Sequence, residues 1–303
     1  MDRAGVVEVR CKSAINRVQG MPFRWSLNPY AGCQHDCQYC YARVTHRYRD
    51  LGAADFARRL FAKTNLPEVL RDEFRRPGWK HESVVIGTAT DPYQPLEGTY
   101  RITRRCLEVF LECGNPGSIT TKGTLIVRDV DLLAELARET RFTVHFSLIS
   151  LDAGLIRHLE PGAPPPGSRL RAIERLAAAG VPVSLFLMPI VPGLTDRPES
   201  LAAVVRAGAE RGAFAVWPGA LRLAPGVKEW FLDFLAANYP RLLASYQRGY
   251  ATGANPPPAY RERVEARVAE ARATIELRRD ARRECHRVGQ QYVLPLGVGK
   301  ALD

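Results

Sequence analysis

Asn28-Pro29-Tyr30-Ala31-Gly32-Cys33-Gln34-His35-Asp36-Cys37-Gln38-Tyr39-Cys40-Tyr41-Ala42-Arg43 carries three cysteines within eight residues, at Cys-x3-Cys-x2-Cys spacing. A loop of this length brings three thiols around one soft metal centre, and thiolates are the ligands that iron–sulfur clusters prefer. Two other readings compete. A zinc site needs a fourth ligand, and His35 inside the loop or His46 just after it would serve. Three unconnected core thiols are the other reading, and the close spacing beside Gly32 and Tyr39 argues against it.

Outward from this loop, apolar β-type runs alternate with helical patterns. Strands are expected at 25–28, 84–87, 118–121, 143–149, 183–189 and 214–217. Most carry consecutive apolar residues, as strands covered on both faces do. Helices fit between them. Thr103 is placed to cap one bearing Cys106, Leu107, Phe110 and Leu111, stopped by Gly114 and Pro116. Asp129 is placed to cap a second, and 169–179 and 198–210 give two more. The β-then-α order implies right-handed crossovers and a parallel sheet or barrel of about six units. The expected fold is therefore α/β, a partial (βα)6 TIM-type barrel. Its expected divisions are an N-terminal extension over 1–24, the barrel over 25–235 and a helical C-terminal region over 236–303. The run Asn255-Pro256-Pro257-Pro258 marks a boundary in that last part. A charged helix follows over 260–283, with a thin apolar stripe of Val264, Val268, Ala271 and Ile275.

The chain has 303 residues, 25% charged and 46% hydrophobic, which fits a globular fold. A net charge of +11 makes a polyanionic partner, DNA or RNA, plausible. Runs such as Arg261-Glu262-Arg263 read equally well as solvated helix faces. No apolar leader follows Met1, and the longest apolar stretch, 183–194, is broken by Pro189 and Pro192. A cytoplasmic protein without a membrane span is expected. Seven cysteines then point to metal binding or free thiols, not disulfides. Neither a Gly-x-Gly-x-x-Gly fingerprint after a strand nor a P-loop is present, and no second four-cysteine set suggests an auxiliary cluster.

Three protein ligands for four irons leave one iron open. That iron can chelate the amino and carboxylate groups of S-adenosylmethionine (SAM), and the cofactor then carries the chemistry while the protein positions it. The pattern Cys-x3-Cys-x-aromatic-Cys resembles the signature of the radical SAM superfamily, whose fold is a partial (βα)6 barrel. Asn28-Pro29-Tyr30, Tyr41-Ala42-Arg43 and Thr90-Asp91-Pro92-Tyr93-Gln94-Pro95 resemble the branch related to spore photoproduct lyase, often described as DNA-repair-photolyase-like, including an actinobacterial subgroup. The resemblance covers roughly residues 10–235. It implies a 4Fe-4S cluster on Cys33, Cys37 and Cys40, SAM as cofactor, and a flavodoxin- or ferredoxin-like electron donor.

The same resemblance implies that Thr90 and Asp91 meet the methionine ammonium, Lys122 the SAM carboxylate, Ser147 the ribose or methionine part, and Tyr39 the adenine. Three of them have a plainer reading: a capped turn for Asp91, a rim lysine for Lys122 and a satisfied core serine for Ser147. Glu160-Pro161-Gly162 with Arg169 also matches the branch, and such a pair would tie the loop to the next helix. Photoproduct lyases carry a hydrogen-returning cysteine after the second strand, where this chain has Thr88. A threonine O–H bond is too strong for that role, so repair by that route is not expected. Cys106 and Cys113 read as core thiols. Cys11 and Cys285, the latter beside His286, remain candidate radical quenchers. The expected function is a radical SAM enzyme, lyase-like, abstracting hydrogen from a substrate that charge and branch suggest is nucleic acid. The alternatives are radical modification of a peptide or small metabolite, and a non-enzymatic, metal-stabilised nucleic-acid-binding protein.

Overall fold

The computed structural model describes residues 5–274. Its main sheet contains β3 (Trp25–Leu27), β6 (Val84–Ile86), β7 (Gly117–Thr121), β8 (Thr143–Ser147), β9 (Val183–Ile190) and β10 (Ala215–Ala220). These six pair in parallel, in that spatial order. β2 (Ile15–Arg17) adds antiparallel to the β3 edge. The expected α/β partial barrel is what the chain forms. Each expected strand is present, with bounds shifted by one to three residues.

Helices cover one face of the sheet. Leu66–Phe74, Ile102–Glu112, Val130–Thr140, Pro166–Ala178 and Pro198–Glu210 are the main crossover helices. Leu27, Ile86, Ile119, Phe146, Leu185 and Val216 turn outward and share one core with them. Burying a Leu, Ile or Phe side chain contributes about 1.5–3 kcal/mol, so this layer sets the strand register.

Strand alternation then turns the partners of those residues inward. Register places Ser26 beside Val85 and Val85 beside Ser118. One level higher, Thr120, His145, Ser184 and Ala215 are neighbours. Ser147, Phe186 and Trp217 form the level nearest the carboxyl ends.

Two expectations need correction. Thr103 does not cap its helix: its hydroxyl donates to the Pro92 carbonyl at 2.6 Å, while Arg101 stands at the cap position. Asp129 does occupy the cap position, but its carboxylate makes no capping bond. It pairs instead with Arg104 and Arg128.

The chain also forms a second, smaller sheet that its sequence pattern does not announce. β1 (Gly5–Val9) runs parallel to β5 (Arg59–Lys63), and β4 (Tyr30–Ala31) pairs antiparallel with β5. It anchors the chain immediately before Cys33. Beyond β10, helices Val227–Asn238, Pro240–Gly249 and Pro258–Ala273 follow. The last buries Val264, Val268 and Ala271, as its stripe implies. Ile275, Cys285 and His286 lie outside the described residues.

Candidate active site

The cysteine loop follows β4 and lies at the carboxyl ends of the parallel strands, where barrels of this kind place their working residues. Gly32 permits the approach. Its φ is +81°, and a Cβ there would sit 2.7 Å from the Phe56 carbonyl oxygen. That carbonyl accepts the Cys33 N–H at 3.0 Å.

The loop is stitched to its surroundings at many points. The Gly32 carbonyl accepts from Thr90 Oγ1 at 2.6 Å and Gln94 Nε2 at 3.1 Å. Gln94 Oε1 takes the Gln34 N–H, and Gln34 Oε1 takes that of Leu96. From the opposite side, Leu159 accepts the Gln38 N–H and Gly162 donates to the His35 carbonyl. Arg43 is also buried here. Its guanidinium donates to the carbonyls of Cys37, Asp36 and Ala53, each at 3.0 Å. Trp230 lies across it, 4.4 Å from guanidinium carbon to ring centre.

Cys33 and Cys37 are buried and Cys40 is partly buried, and none forms a disulfide. Burial pushes the Cys33 and Cys40 thiols up, and Cys37 up to about 12. The neighbouring sulfurs raise Cys33 and Cys37 further. The three are thus mutual neighbours. Among the described residues, however, no three His, Cys, Asp or Glu side chains gather as closely as a single ion needs. Thiolates are the ligands an iron–sulfur cluster takes, and three in one short loop fit that group by donor chemistry. The two alternative zinc ligands have other partners. His46 Nε2 lies 2.8 Å from the Arg59 carbonyl, and His35 Nδ1 lies 3.1 Å from Asp91 Oδ2.

The remaining candidates surround this loop. Asp91 is buried at the end of β6. It accepts from Thr121 Oγ1 at 2.6 Å and from the backbone N–H groups of Lys122 and Tyr93 at 2.7 and 2.9 Å. Burial opposes its charge, but His35 and these donors hold its carboxyl well below the usual range. Lys122 Nζ lies 4.0 Å from Glu160 Oε1 and 5.8 Å from the Tyr39 ring centre. Burial disfavours its charge, yet the Cys37 sulfur and the Glu160 carboxylate raise its pKa overall. Tyr39 donates to Glu160, which pairs with Arg169, and Arg169 also reaches the Ser147 carbonyl at 3.3 Å. Thr88 accepts from Asn28 Nδ2 at 3.1 Å, and its carbonyl accepts from Tyr41. Cys11 lies instead beside Asn65, with its thiol pushed up by burial, and Cys106 is in the main core.

A family model described as the radical SAM superfamily matches residues 27–205. The chain belongs to the radical SAM superfamily. Radical SAM proteins use SAM with a 4Fe-4S cluster and need a reductant, so this chain is an enzyme of that type. An uncharacterized protein of Mycobacterium tuberculosis is 41% identical over 279 residues, covering 91% of this chain and 82% of that protein. A Pseudomonas phage M6 protein named as a radical SAM Nα-GlyT isomerase is 27% identical over 187 residues, 58% of this chain and 36% of the phage protein. Among solved radical SAM folds, spore photoproduct lyase complexed with dinucleoside spore photoproduct superposes with a TM-score of 0.66 at 16% identity. That match covers 88% of this chain and 78% of the lyase. Among the described residues no helix is long and apolar enough to cross a membrane.

Proposed function

We propose that Cys33, Cys37 and Cys40 hold a 4Fe-4S cluster, and that this enzyme abstracts hydrogen from a nucleic-acid substrate. The observation that carries the cluster reading is the set of three neighbouring thiols, two of them buried, in a loop fixed by Arg43, Thr90 and Gln94. When bound, the cluster and SAM supply a one-electron cleavage that yields methionine and a 5′-deoxyadenosyl radical.

The protein's own residues bind, orient and exclude water. Lys122 offers a fixed positive charge for the SAM carboxylate. Thr90 and the anionic Asp91 border the position of the methionine ammonium. Ser147 faces the ribose or methionine part, and Tyr39 gives the adenine an apolar surface. Thr90 and Asp91 are also tied into the loop and the β6 turn, so their side chains arrive pre-oriented. The reading of a nucleic-acid substrate rests on the net charge of +11, with the dinucleoside-bound lyase of the same fold as precedent. A flavodoxin- or ferredoxin-like protein is the proposed electron donor.

Anaerobic reconstitution with iron and sulfide, followed by SAM and dithionite, tests the reading. A brown protein that forms 5′-deoxyadenosine is expected. A colourless protein with one tight zinc overturns it. Binding to DNA or RNA should weaken steeply with salt, and absence of binding at low salt removes the nucleic-acid substrate.

A further inference from the structure

The inward faces of the parallel strands have a distinct chemistry. None of the six strands contains Lys, Arg, Asp or Glu. The wall nearest the mouth is aromatic. His145 lies stacked on Phe186, with ring centres 4.4 Å apart and planes 16° from parallel. Trp217 is the register neighbour of Phe186 on the next strand. All three residues are partly exposed, although they sit on the inner face of the sheet, as expected where the lumen opens towards its mouth. Deeper down, Ser118 Oγ is buried with no hydrogen-bond partner.

We propose that this wall binds one uncharged, planar, hydrogen-bonding ring of the substrate, of nucleobase type, laid against Phe186 and Trp217. The inference rests on the nucleic-acid reading above and names the part of the substrate that enters the barrel. A charged group would enter a wall with no counter-ion, which is strongly disfavoured. A flat ring gains stacking area on the aromatic pair, an interaction that typically changes affinity by tenfold or more per base. Its edge finds neutral partners. Burial pushes His145 down to about 4, so the imidazole is uncharged at neutral pH. Its Nδ1 is 2.6 Å from Ser184 Oγ, which leaves the other ring nitrogen to the ligand. Any phosphates stay outside the lumen, so a base must leave its stack to reach the radical.

The test uses the anaerobically reconstituted full chain with SAM bound. The probes are the uncharged 2′-deoxynucleosides, their 5′-monophosphates and a capped Gly-Ser dipeptide amide, with affinities measured by equilibrium dialysis. At least one deoxynucleoside should bind roughly tenfold more tightly than the dipeptide, and Phe186→Leu should weaken it about tenfold. Trp217→Phe keeps a ring and should keep most of the affinity. Should Phe186→Leu not fold, Trp217→Ala gives the same test from a different strand. No deoxynucleoside binding, equal binding of the dipeptide, or an unchanged affinity in the ring-deleted variant overturns the proposal. Formation of 5′-deoxyadenosine by the wild type, measured without any probe, reports separately on the radical reading. If that product forms while no ring binds, only the lumen assignment fails.

Discussion

Glu160 and Arg169 form an ion pair in which neither side chain is exposed, and the other oxygen of the same carboxylate accepts from Tyr39. The pair joins the end of helix Ala153–Leu159 to helix Pro166–Ala178. It also places a fixed negative charge beside Lys122. Burial alone would raise the Glu160 pKa, but Arg169 and Lys122 lower it overall.

Arg169→Met strands that carboxylate without its guanidinium. The iron-free protein should lose about 3–5 kcal/mol of stability, the usual effect of breaking a buried pair. Urea unfolding measures it, and the double variant with Glu160→Gln should recover part of the loss. A loss below about 1 kcal/mol would mean that the pair is solvated in solution.

Gly162 packs against the cysteine loop so closely that a Cβ would lie 2.0 Å from the Gln34 carbonyl oxygen. Gly162→Ala therefore must displace backbone on one side. A destabilisation of about 1–3 kcal/mol is expected, with less iron and sulfide retained after reconstitution. Wild-type iron content in the variant would show that the two loops move apart without consequence.

Replacing Cys33, Cys37 or Cys40 singly by Ala should abolish the visible absorbance of the reconstituted protein. Cys11→Ser and Cys113→Ser should leave it intact, because those thiols lie beside Asn65 and on helix Ile102–Glu112's end. Colour surviving in any of the first three variants would reassign the ligand set.

Asp129 gives a pH prediction away from the cysteines. Burial would raise its pKa, but Arg128, Arg104 and the Tyr93 hydroxyl lower it overall. A depressed native pKa means that the unfolded chain takes up its proton first. The stabilisation is full above about pH 4, the unfolded carboxyl value, and fades as pH falls through the lower native value. Asp129→Asn should therefore unfold with a shallower acid limb than wild type. Identical slopes below pH 4 in urea titrations would refute the linkage.

The parallel strands were legible because their helix-facing residues are strongly apolar, as in Val84-Val85-Ile86 and Val183-Ser184-Leu185. The cysteine spacing was legible for a chemical reason that holds without a fold. The small sheet was not, because Arg59-Leu60-Phe61-Ala62-Lys63 is short and flanked by charges, and its parallel partner lies fifty residues away. Arg43 stands in the Tyr41-Ala42-Arg43 run that resembles the branch, but nothing in the sequence tells what a single arginine after a loop touches. Only the fold shows it buried under Trp230 with backbone carbonyls around it. Phe186 and Trp217 were hidden for a third reason. Each sits in a run of apolar residues, and nothing but strand register separates the ring that faces the lumen from the leucine that faces a helix.

The bonds that hold the cysteine loop run to segments far apart in sequence, with Gln94 on one side and Leu159 and Gly162 on the other. Contacts of that reach on both sides of the loop are expected to shape it without help from an inorganic guest. Metal-free material should accept iron and sulfide under native conditions with no denaturation step, unlike a zinc finger, which has no shape to offer until its ion is bound.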